Sequence, residues 1–300
     1  MSKNWLISLI ACASLSSLSL PARGQAVLPY VPQLDSEKME LQGLQLLQDA
    51  VQLIRFQQYE LALPRAELAT QLAPDTYDVW LILGNLYLQQ EEVEKGIKVL
   101  EKAESIAPEE EGVLFRLGEA YFQQGDYQTA KEKLEAGLEI NEESPDALFS
   151  LGNTYLKLAE YDDAIDAYEE AVALEETFWP ALNNVGLVQY EQGDRRGAIS
   201  QWESVIEVDS KQAEPQLALA VALFKEEEVA KAIELGKAAL ELDSRYAEIQ
   251  FLIENLWGEQ LIGDTKEFMR NPEIQEVVSN FEQSTPEESP AENEGVPVPQ

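Results

Sequence analysis

The sequence has 300 residues and a formal net charge of −35, because 56 aspartates and glutamates outnumber 21 lysines and arginines. Such a charge repels phosphate groups, which excludes nucleic acid and anionic membrane surfaces as partners. The absence of histidine and the single cysteine exclude histidine-dependent nucleophiles, zinc sites and disulfide scaffolds.

Residues 1–26 are predicted to be a signal peptide. Lys3 provides a short basic region, residues 5–20 are apolar and rich in serine, and Gly24-Gln25-Ala26 places small residues where a signal peptidase cleaves. The mature chain would begin near Val27, in the periplasm or an equivalent extracytoplasmic or lumenal space, without stable membrane insertion. The alternative is a membrane-tethered form, but the apolar stretch is shorter than the ~20 residues that a membrane span needs.

The only cysteine lies inside this leader. The sequence Leu9-Ile10-Ala11-Cys12 resembles a lipobox, but it comes so early that almost no apolar region precedes it. We therefore interpret Cys12 as an ordinary leader residue. Cleavage would also remove two basic residues, Lys3 and Arg23, which changes the net charge from −35 to −37.

Residues 27–42 are predicted to form an extended lead-in and the start of the first helix. Pro29 and Pro32 favour extended backbone, and Asp35 or Ser36 can cap the N-terminus of the helix that follows. From residue 43 onward the sequence has a different character, because it becomes periodic.

Small residues recur every 34 positions in three separate registers, without an insertion. The first register is Ala50, Gly84, Gly118, Gly152, Gly186 and Ala220. The second is Ala62, Gly96, Ala130, Ala164, Ala198 and Ala232, and the third is Ala69, Ala103, Gly137, Ala171, Val205 and Ala239. Such a unit cannot bury its apolar faces alone, so the units must stack.

Each unit is predicted to be a pair of amphipathic helices. Apolar residues follow helical spacing, as at Leu148, Leu151 and Tyr155. Between the helices, Gln124-Gly125-Asp126 and Gln192-Gly193-Asp194 place a glycine where a helix ends and an aspartate that can cap the next helix. Tyrosines that follow the first register are expected to fill the space between successive pairs.

This pattern resembles the tetratricopeptide repeat. The residues that carry the resemblance are Trp80, Leu83, Gly84, Tyr87, Leu100, Ala103 and Pro108 in one unit, and Leu148, Leu151, Gly152, Tyr155, Ala164, Tyr168 and Ala171 in another. It covers six units: 43–76, 77–110, 111–144, 145–178, 179–212 and 213–246. The first unit departs from the pattern at Asp49, and the last departs at Gln216, Ala220 and Gly236. The resemblance implies an all-α, right-handed α-solenoid of about six 34-residue helix-turn-helix repeats with a C-terminal capping helix.

Two segments follow the repeats. Residues 247–283 are predicted to form C-terminal capping helices, the first containing the apolar residues Phe251 and Trp257, and a later one starting at Asn271-Pro272. Residues 284–300 contain four prolines, four glutamates and no basic residue, which is typical of a disordered tail.

The resemblance also implies a groove, because the first helix of each unit lines the concave face in this family. The predicted groove residues are Phe115, Arg116, Phe149, Asn153, Lys157, Asn183, Asn184 and Tyr190. Aromatic rings with amides between them suit an extended segment or an amphipathic helix. For Phe122 and Leu156, on the same face, the alternative is packing between units.

Asn85, Asn153 and Asn184 resemble the asparagines of the carboxylate clamp in chaperone-binding members of the family. The clamp also needs lysine or arginine. At the corresponding positions this sequence has Leu81, Phe149, Glu214 and Leu217. A carboxylate buried there would have no cation beside it, so we reject binding of a chaperone tail.

No catalytic or cofactor motif stands out from the acidic background. The acidic runs fall at helix ends, and the densest cluster, Asp162-Asp163 with Asp166, lacks the ligand spacing of a calcium loop. We predict a non-catalytic scaffold or assembly factor for client proteins or peptides, with no cofactor or metal. The alternatives are an exported acidic protein that binds divalent cations, a co-chaperone-like adaptor, and an enzyme for which the solenoid is only a scaffold.

Overall fold

The computed structural model describes residues 35–284. This part of the chain is entirely helical, with fifteen α-helices, one 3-10 helix and no strand. The chain divides into two units, residues 1–39 and 40–300, and the first is described only from residue 35. The predicted signal peptide and nearly all of the predicted tail lie outside the described residues.

Twelve helices of the described part follow one another as antiparallel pairs. They are α1 (Ser36–Arg55), α2 (Tyr59–Leu72), α3 (Tyr77–Gln89), α4 (Val93–Ile106), α5 (Glu111–Gln124), α6 (Tyr127–Ile140), α7 (Pro145–Lys157), α8 (Tyr161–Leu174), α9 (Trp179–Glu191), α10 (Arg195–Val208), α11 (Ala213–Lys225) and α12 (Val229–Leu242). Each helix packs on its neighbours in the chain, which confirms the predicted all-α solenoid of helix-turn-helix repeats. The unit boundaries stay a prediction.

The chain continues beyond the twelfth helix with a short 3-10 helix and three further α-helices. These are the 3-10 helix Ser244–Ala247, α13 (Ile249–Glu254), α14 (Glu259–Phe268) and α15 (Pro272–Ser284). α15 packs on α12, whereas α14 packs on α11 and reaches back to α9.

The turn inside each pair has one residue with left-handed backbone. Gly125 (φ 88°) and Gly193 (φ 85°) hold this conformation, as the sequence indicates. The equivalent residues of the other four pairs are also left-handed: Gln57 (φ 58°), Glu91 (φ 61°), Ala159 (φ 58°) and Glu227 (φ 65°). Asp126 and Asp194 cap the following helices as predicted, since their carboxylates accept hydrogen bonds from backbone N–H groups three residues later.

Replacing Ala159 with glycine should therefore stabilise the protein. A residue with a Cβ is strained in the left-handed region by roughly 1–2 kcal/mol, and glycine loses roughly 0.5–1 kcal/mol more backbone entropy on folding. We expect the free energy of unfolding in urea to rise by about 0.5–1 kcal/mol. Ala136→Gly, inside α6, is the control and should lower the free energy of unfolding by about 1 kcal/mol. A change of the same sign in both variants would contradict the role given to the left-handed backbone of residue 159.

The first register of small residues is explained by packing inside each pair. In four units, a glycine on the first helix faces a large side chain on the second: Gly84 faces Leu100, Gly118 faces Leu134, Gly152 faces Tyr168, and Gly186 faces Trp202. A Cβ added to these glycines would lie 2.5–2.6 Å from the facing side chain. The two helices of each pair can therefore approach closely only because the first has no side chain there.

The last unit replaces this packing with a contact from outside the repeats. At Gly236 the second helix lacks the large side chain that Leu100 to Trp202 provide in the preceding units. Phe268, at the end of α14, fills the space, and a Cβ on Gly236 would lie 2.5 Å from its ring. The unusual glycine of the last unit is thus accounted for by the C-terminal helices.

Tyrosines connect neighbouring pairs through a repeated hydrogen bond. The hydroxyl of each tyrosine donates to a glutamate twenty residues earlier: Tyr87 to Glu67 (3.0 Å), Tyr121 to Glu101 (3.0 Å) and Tyr155 to Glu135 (2.9 Å). Burial, with the hydrogen-bonded carboxylate, raises the pKa of Tyr87 and Tyr121 to about 12, so both stay neutral donors. At the next position Gln189 replaces the tyrosine, and its Oε1 is buried without a hydrogen-bond partner in the described structure.

Candidate functional site

The first helices of neighbouring pairs contact one another directly, as expected for helices that line the concave face of a tetratricopeptide solenoid. α3 contacts α5, and α5 contacts α7, although a second helix separates each of these pairs in the sequence. We name the surface formed by α3, α5, α7, α9 and α11 the concave face. This face has three parts: two pockets and a region that is covered by α14.

The first part is an open pocket of about 600 Å³ at α3 and α5. Its polar lining is Tyr59, Asn85, Gln89, Glu91, Arg116, Glu119 and Gln123. Arg116 Nη1 lies 2.5 Å from Glu119 Oε2, so this cation is paired with an acid of its own helix. The size is within the roughly 300–1,000 Å³ of common ligand pockets.

Asn85 lines the open pocket and has unused hydrogen-bonding capacity. Its Oδ1 atom is buried and has no hydrogen-bond partner among the described residues. An unpaired buried polar atom costs roughly 1–3 kcal/mol, so turning the Asn85 amide toward the pocket to accept from an N–H donor of a bound segment would be favoured.

The second part is a middle pocket of about 340 Å³ between α5, α7, α9 and the end of α13. Its lining is Phe122, Phe149, Asn153, Trp179, Pro180, Asn183, Asn184, Glu214, Glu254, Asn255 and Leu256. Three predicted groove asparagines therefore lie together here, beside Phe149. The ring of Phe149 also packs edge-to-face on Phe178, with centroids 5.5 Å apart.

The asparagines of the middle pocket are hydrogen-bonded to one another. Asn153 Oδ1 accepts from the Tyr168 hydroxyl at 2.7 Å and from Asn184 Nδ2 at 2.9 Å. Asn184 Oδ1 accepts from Asn183 Nδ2 at 3.2 Å. Much of the hydrogen-bonding capacity that these asparagines were predicted to offer a partner is thus used within the protein.

Glu214 lies at the inner wall of the middle pocket and is only 8% exposed. Its carboxylate accepts from Trp257 Nε1 at 3.0 Å and from the Tyr246 hydroxyl at 3.4 Å, which joins α11 to the C-terminal segment. Burial raises the pKa of the Glu214 carboxyl above its usual value, although these hydrogen bonds act in the opposite direction.

Glu214 should therefore make stability depend on pH in a defined direction. Because its pKa is raised in the folded state, the folded protein holds a proton that the unfolded chain releases above about pH 4.5. The contribution of this carboxyl to stability is thus greatest below pH 4.5 and is lost as pH rises through the raised pKa. We expect the free energy of unfolding of Glu214→Gln minus that of wild type to grow from pH 4.5 to pH 7.

Urea unfolding at a series of pH values measures this difference. Glu94→Gln, at an exposed position on α4, controls for the loss of one negative charge from the acidic chain. A Glu214→Gln difference that stays flat or shrinks as pH rises would contradict the buried-carboxyl explanation.

The third part of the concave face, at α9 and α11, is covered by α14. The Glu191 carboxylate accepts from the backbone N–H groups of Gln260 (3.1 Å) and Leu261 (2.9 Å), which caps the N-terminus of α14. Further along, the Tyr190 hydroxyl donates to Asp264 Oδ2 at 2.7 Å. This part of the face is therefore occupied by the chain itself.

The predicted groove residues are distributed unevenly over these parts. Arg116 lines the open pocket, and Lys157 is exposed at the end of α7. Phe115 is half-buried, with its ring against Gly137 of α6. Contact between the predicted groove residues and a client stays a prediction.

Tyr190 requires a correction, because its side chain is fully buried under α14 and offers no surface to a partner. Two residues absent from the predicted groove set, Gln89 and Gln123, line the open pocket instead. Gln89 lies two repeat lengths before Lys157 and Gln123 lies one, so the 34-residue spacing could have identified them.

Two features are absent from the described residues. Residues 35–284 contain no cluster of acidic or cysteine side chains that could hold a metal ion. Over the same range, no helix combines the length and apolarity needed to cross a membrane.

Comparisons with known proteins agree with the repeat architecture. A family model described as tetratricopeptide repeat matches residues 50–111 and 186–247, and one described as anaphase-promoting complex, cyclosome, subunit 3 matches residues 103–171. A search of curated protein sequences gave no match.

Solved structures of similar fold include three proteins with low sequence identity. The APC/C hetero-tetramer Cut9-Hcn1 has 16% identity and a TM-score of 0.59, covering 76% of this chain and 46% of that chain. MamA from Desulfovibrio magneticus RS-1, from residue 41 to its end, has 18% identity and a TM-score of 0.54, with coverages of 58% and 98%. YrrB, a TPR protein with an unusual peptide-binding site, has 21% identity and a TM-score of 0.50, with coverages of 67% and 97%. At these identities the similarity concerns the fold.

Proposed function

We propose that the protein is a non-catalytic scaffold or assembly factor that binds a client protein or peptide through the open pocket of its concave face. The observation that carries the proposal is the buried, unpartnered Oδ1 of Asn85 in a pocket that no other part of the described chain fills. Such an acceptor suits the N–H group of a peptide backbone.

The remaining polar side chains of the open pocket suit the same partner. Gln89 and Gln123 occupy equivalent positions in successive units, so they present amides at one-unit intervals. Each amide offers both a donor and an acceptor, which an extended peptide can use without a particular side-chain sequence. The Arg116–Glu119 pair adds a polar margin.

The similar proteins have partners of the proposed kind. YrrB is described as having a peptide-binding site, and Cut9 is in a hetero-tetramer with Hcn1. We carry over only this general class of function, binding to another polypeptide. The identity of the client is left to experiment.

Variants in the open pocket test the proposal. We expect Asn85→Ala to weaken client binding by about 1–3 kcal/mol, because a buried N–H of the client would lose its acceptor. The mature protein captures its client from its native compartment, mass spectrometry identifies that client, and titration of the purified client then measures affinity. Glu132→Ala, at an exposed position on α6, is the matched control; an Asn85→Ala variant that keeps wild-type helicity and binds the client like the control would contradict the proposal.

We also propose that the protein works outside the cytoplasm after removal of residues 1–26. The basic Lys3, the apolar stretch and the small residues at Gly24-Gln25-Ala26 support export. The intact mass of the native protein should correspond to a start near Val27. A mass that includes residue 1, or a lipid on Cys12, would overturn this assignment.

A further inference from the structure

We propose that the middle pocket receives an arginine side chain of the bound client. The inference rests on the proposed function, because the client would supply this arginine. The preference of the pocket for a guanidinium group can be tested without any client.

The lining of the middle pocket combines aromatic rings with oxygen acceptors. Phe122, Phe149 and Trp179 are half-buried rings, and none of the described lysines or arginines lines the pocket. Aromatic faces and carboxylates both attract a cation, whereas an anion placed here would meet Glu214 and Glu254. The pocket is therefore suited to a positive group with a flat surface.

Two observations indicate a group with several hydrogen-bond donors. Asn183 lines the pocket but is only 1% exposed, and its Oδ1 has no hydrogen-bond partner in the described part of the chain, so a donor in the pocket would bond to this oxygen after the amide turns toward it. Glu254 also lines the pocket and is exposed, and among the described residues its carboxylate accepts only from Gln250 of its own helix, so it can accept more. A guanidinium carries five N–H donors in one plane and stacks on aromatic rings, which an ammonium does not do equally well.

Size and position also fit an arginine on a longer segment. A volume of about 340 Å³ is near the lower limit of ligand pockets, enough for one side chain. Helix α5 lines both pockets, through Gln123 in the open pocket and Phe122 in the middle pocket, so a segment that continues along α5 from the open pocket can place a side chain here. The net charge of −35 favours the approach of basic segments.

Nuclear magnetic resonance titration of the full mature chain tests the inference. The probe is N-acetyl-arginine amide at physiological salt, and the control compound is N-acetyl-citrulline amide, which has nearly the same shape without the charge. We expect the arginine compound to shift the side-chain amide signals of Asn153 and Asn183 and the indole signal of Trp179. The citrulline compound should bind at least about threefold more weakly.

A pair of variants separates the pocket from the general acidity of the protein. Glu254→Gln should weaken binding of the arginine compound about threefold, because it removes the exposed carboxylate of the pocket. Glu94→Gln, far along the chain on α4, removes one charge from an exposed site and should leave affinity unchanged. Both residues are exposed, so neither variant threatens the fold.

Several outcomes would overturn the inference. These are equal binding of the two compounds, equal weakening by the two variants, signal shifts confined to other residues, or tighter binding of N-acetyl-lysine amide. Each leaves the Asn85→Ala measurement unaffected, because that experiment uses the client and the open pocket. If Asn85→Ala loses client binding but the arginine and citrulline compounds bind equally, only the arginine pocket is refuted and the proposed function stands.

Discussion

Replacing Phe268 with alanine should lower the free energy of unfolding by about 3–5 kcal/mol. The side chain is 0% exposed, and its ring fills the space beside Gly236 where the four preceding units have their own large side chain. Its loss would leave a cavity between α12 and α14, and the glycine backbone cannot supply atoms to fill it.

Phe56 provides a matched control, because it is a phenylalanine with 67% of its surface exposed. Phe56→Ala should change stability by less than about 0.5 kcal/mol. Phe268→Leu, which keeps much of the apolar volume, should be intermediate. Urea unfolding followed by circular dichroism gives all three values, and equal effects of Phe268→Ala and Phe56→Ala would refute the role given to the C-terminal helices.

Replacing Gly186 with alanine should lower the free energy of unfolding by about 1–3 kcal/mol. The new methyl group would lie 2.6 Å from Trp202 Nε1. That indole is fully buried and donates a hydrogen bond to the backbone oxygen of Asn183 at 3.2 Å, so it cannot move without losing a contact.

The same substitution at Gly263 is the control. Nothing lies within 4 Å of a Cβ at this position, and the residue is inside α14. Since alanine favours a helix over glycine by roughly 1 kcal/mol, Gly263→Ala should stabilise the protein slightly. Thermal and urea unfolding measure both variants. If Gly186→Ala were as stable as Gly263→Ala, the packing of α9 on α10 would not require a glycine at position 186.

Much of the fold could be predicted from the sequence because it depends on local, repeated contacts. The 34-residue registers identify positions where helices of one pair approach, and the structure explains them by facing residues such as Gly152 and Tyr168. The turns could be predicted only in part. Gly125 signals a left-handed residue, but Ala159 holds the same conformation without any sequence signature.

The site could be predicted less completely, because it depends on contacts outside the repeat period. Tyr190 fits the groove pattern, yet its hydroxyl bonds to Asp264, which lies 74 residues later in the chain. Similarly, Gly236 reads as a weakened terminal repeat until Phe268 is seen beside it. Periodicity carries no information on where a non-repeating segment returns to the stack.

The central claim is that a client lies in the open pocket, and site-specific photo-crosslinking tests it most directly. The photoreactive residue p-benzoylphenylalanine is placed at Gln123, in the open pocket, or at Glu132, exposed on α6, in the otherwise unchanged mature protein. Illumination in the native compartment should give a client adduct from the Gln123 protein and none from the Glu132 protein. An adduct of the same client from Glu132 but not from Gln123 would place binding on the opposite surface and contradict the account.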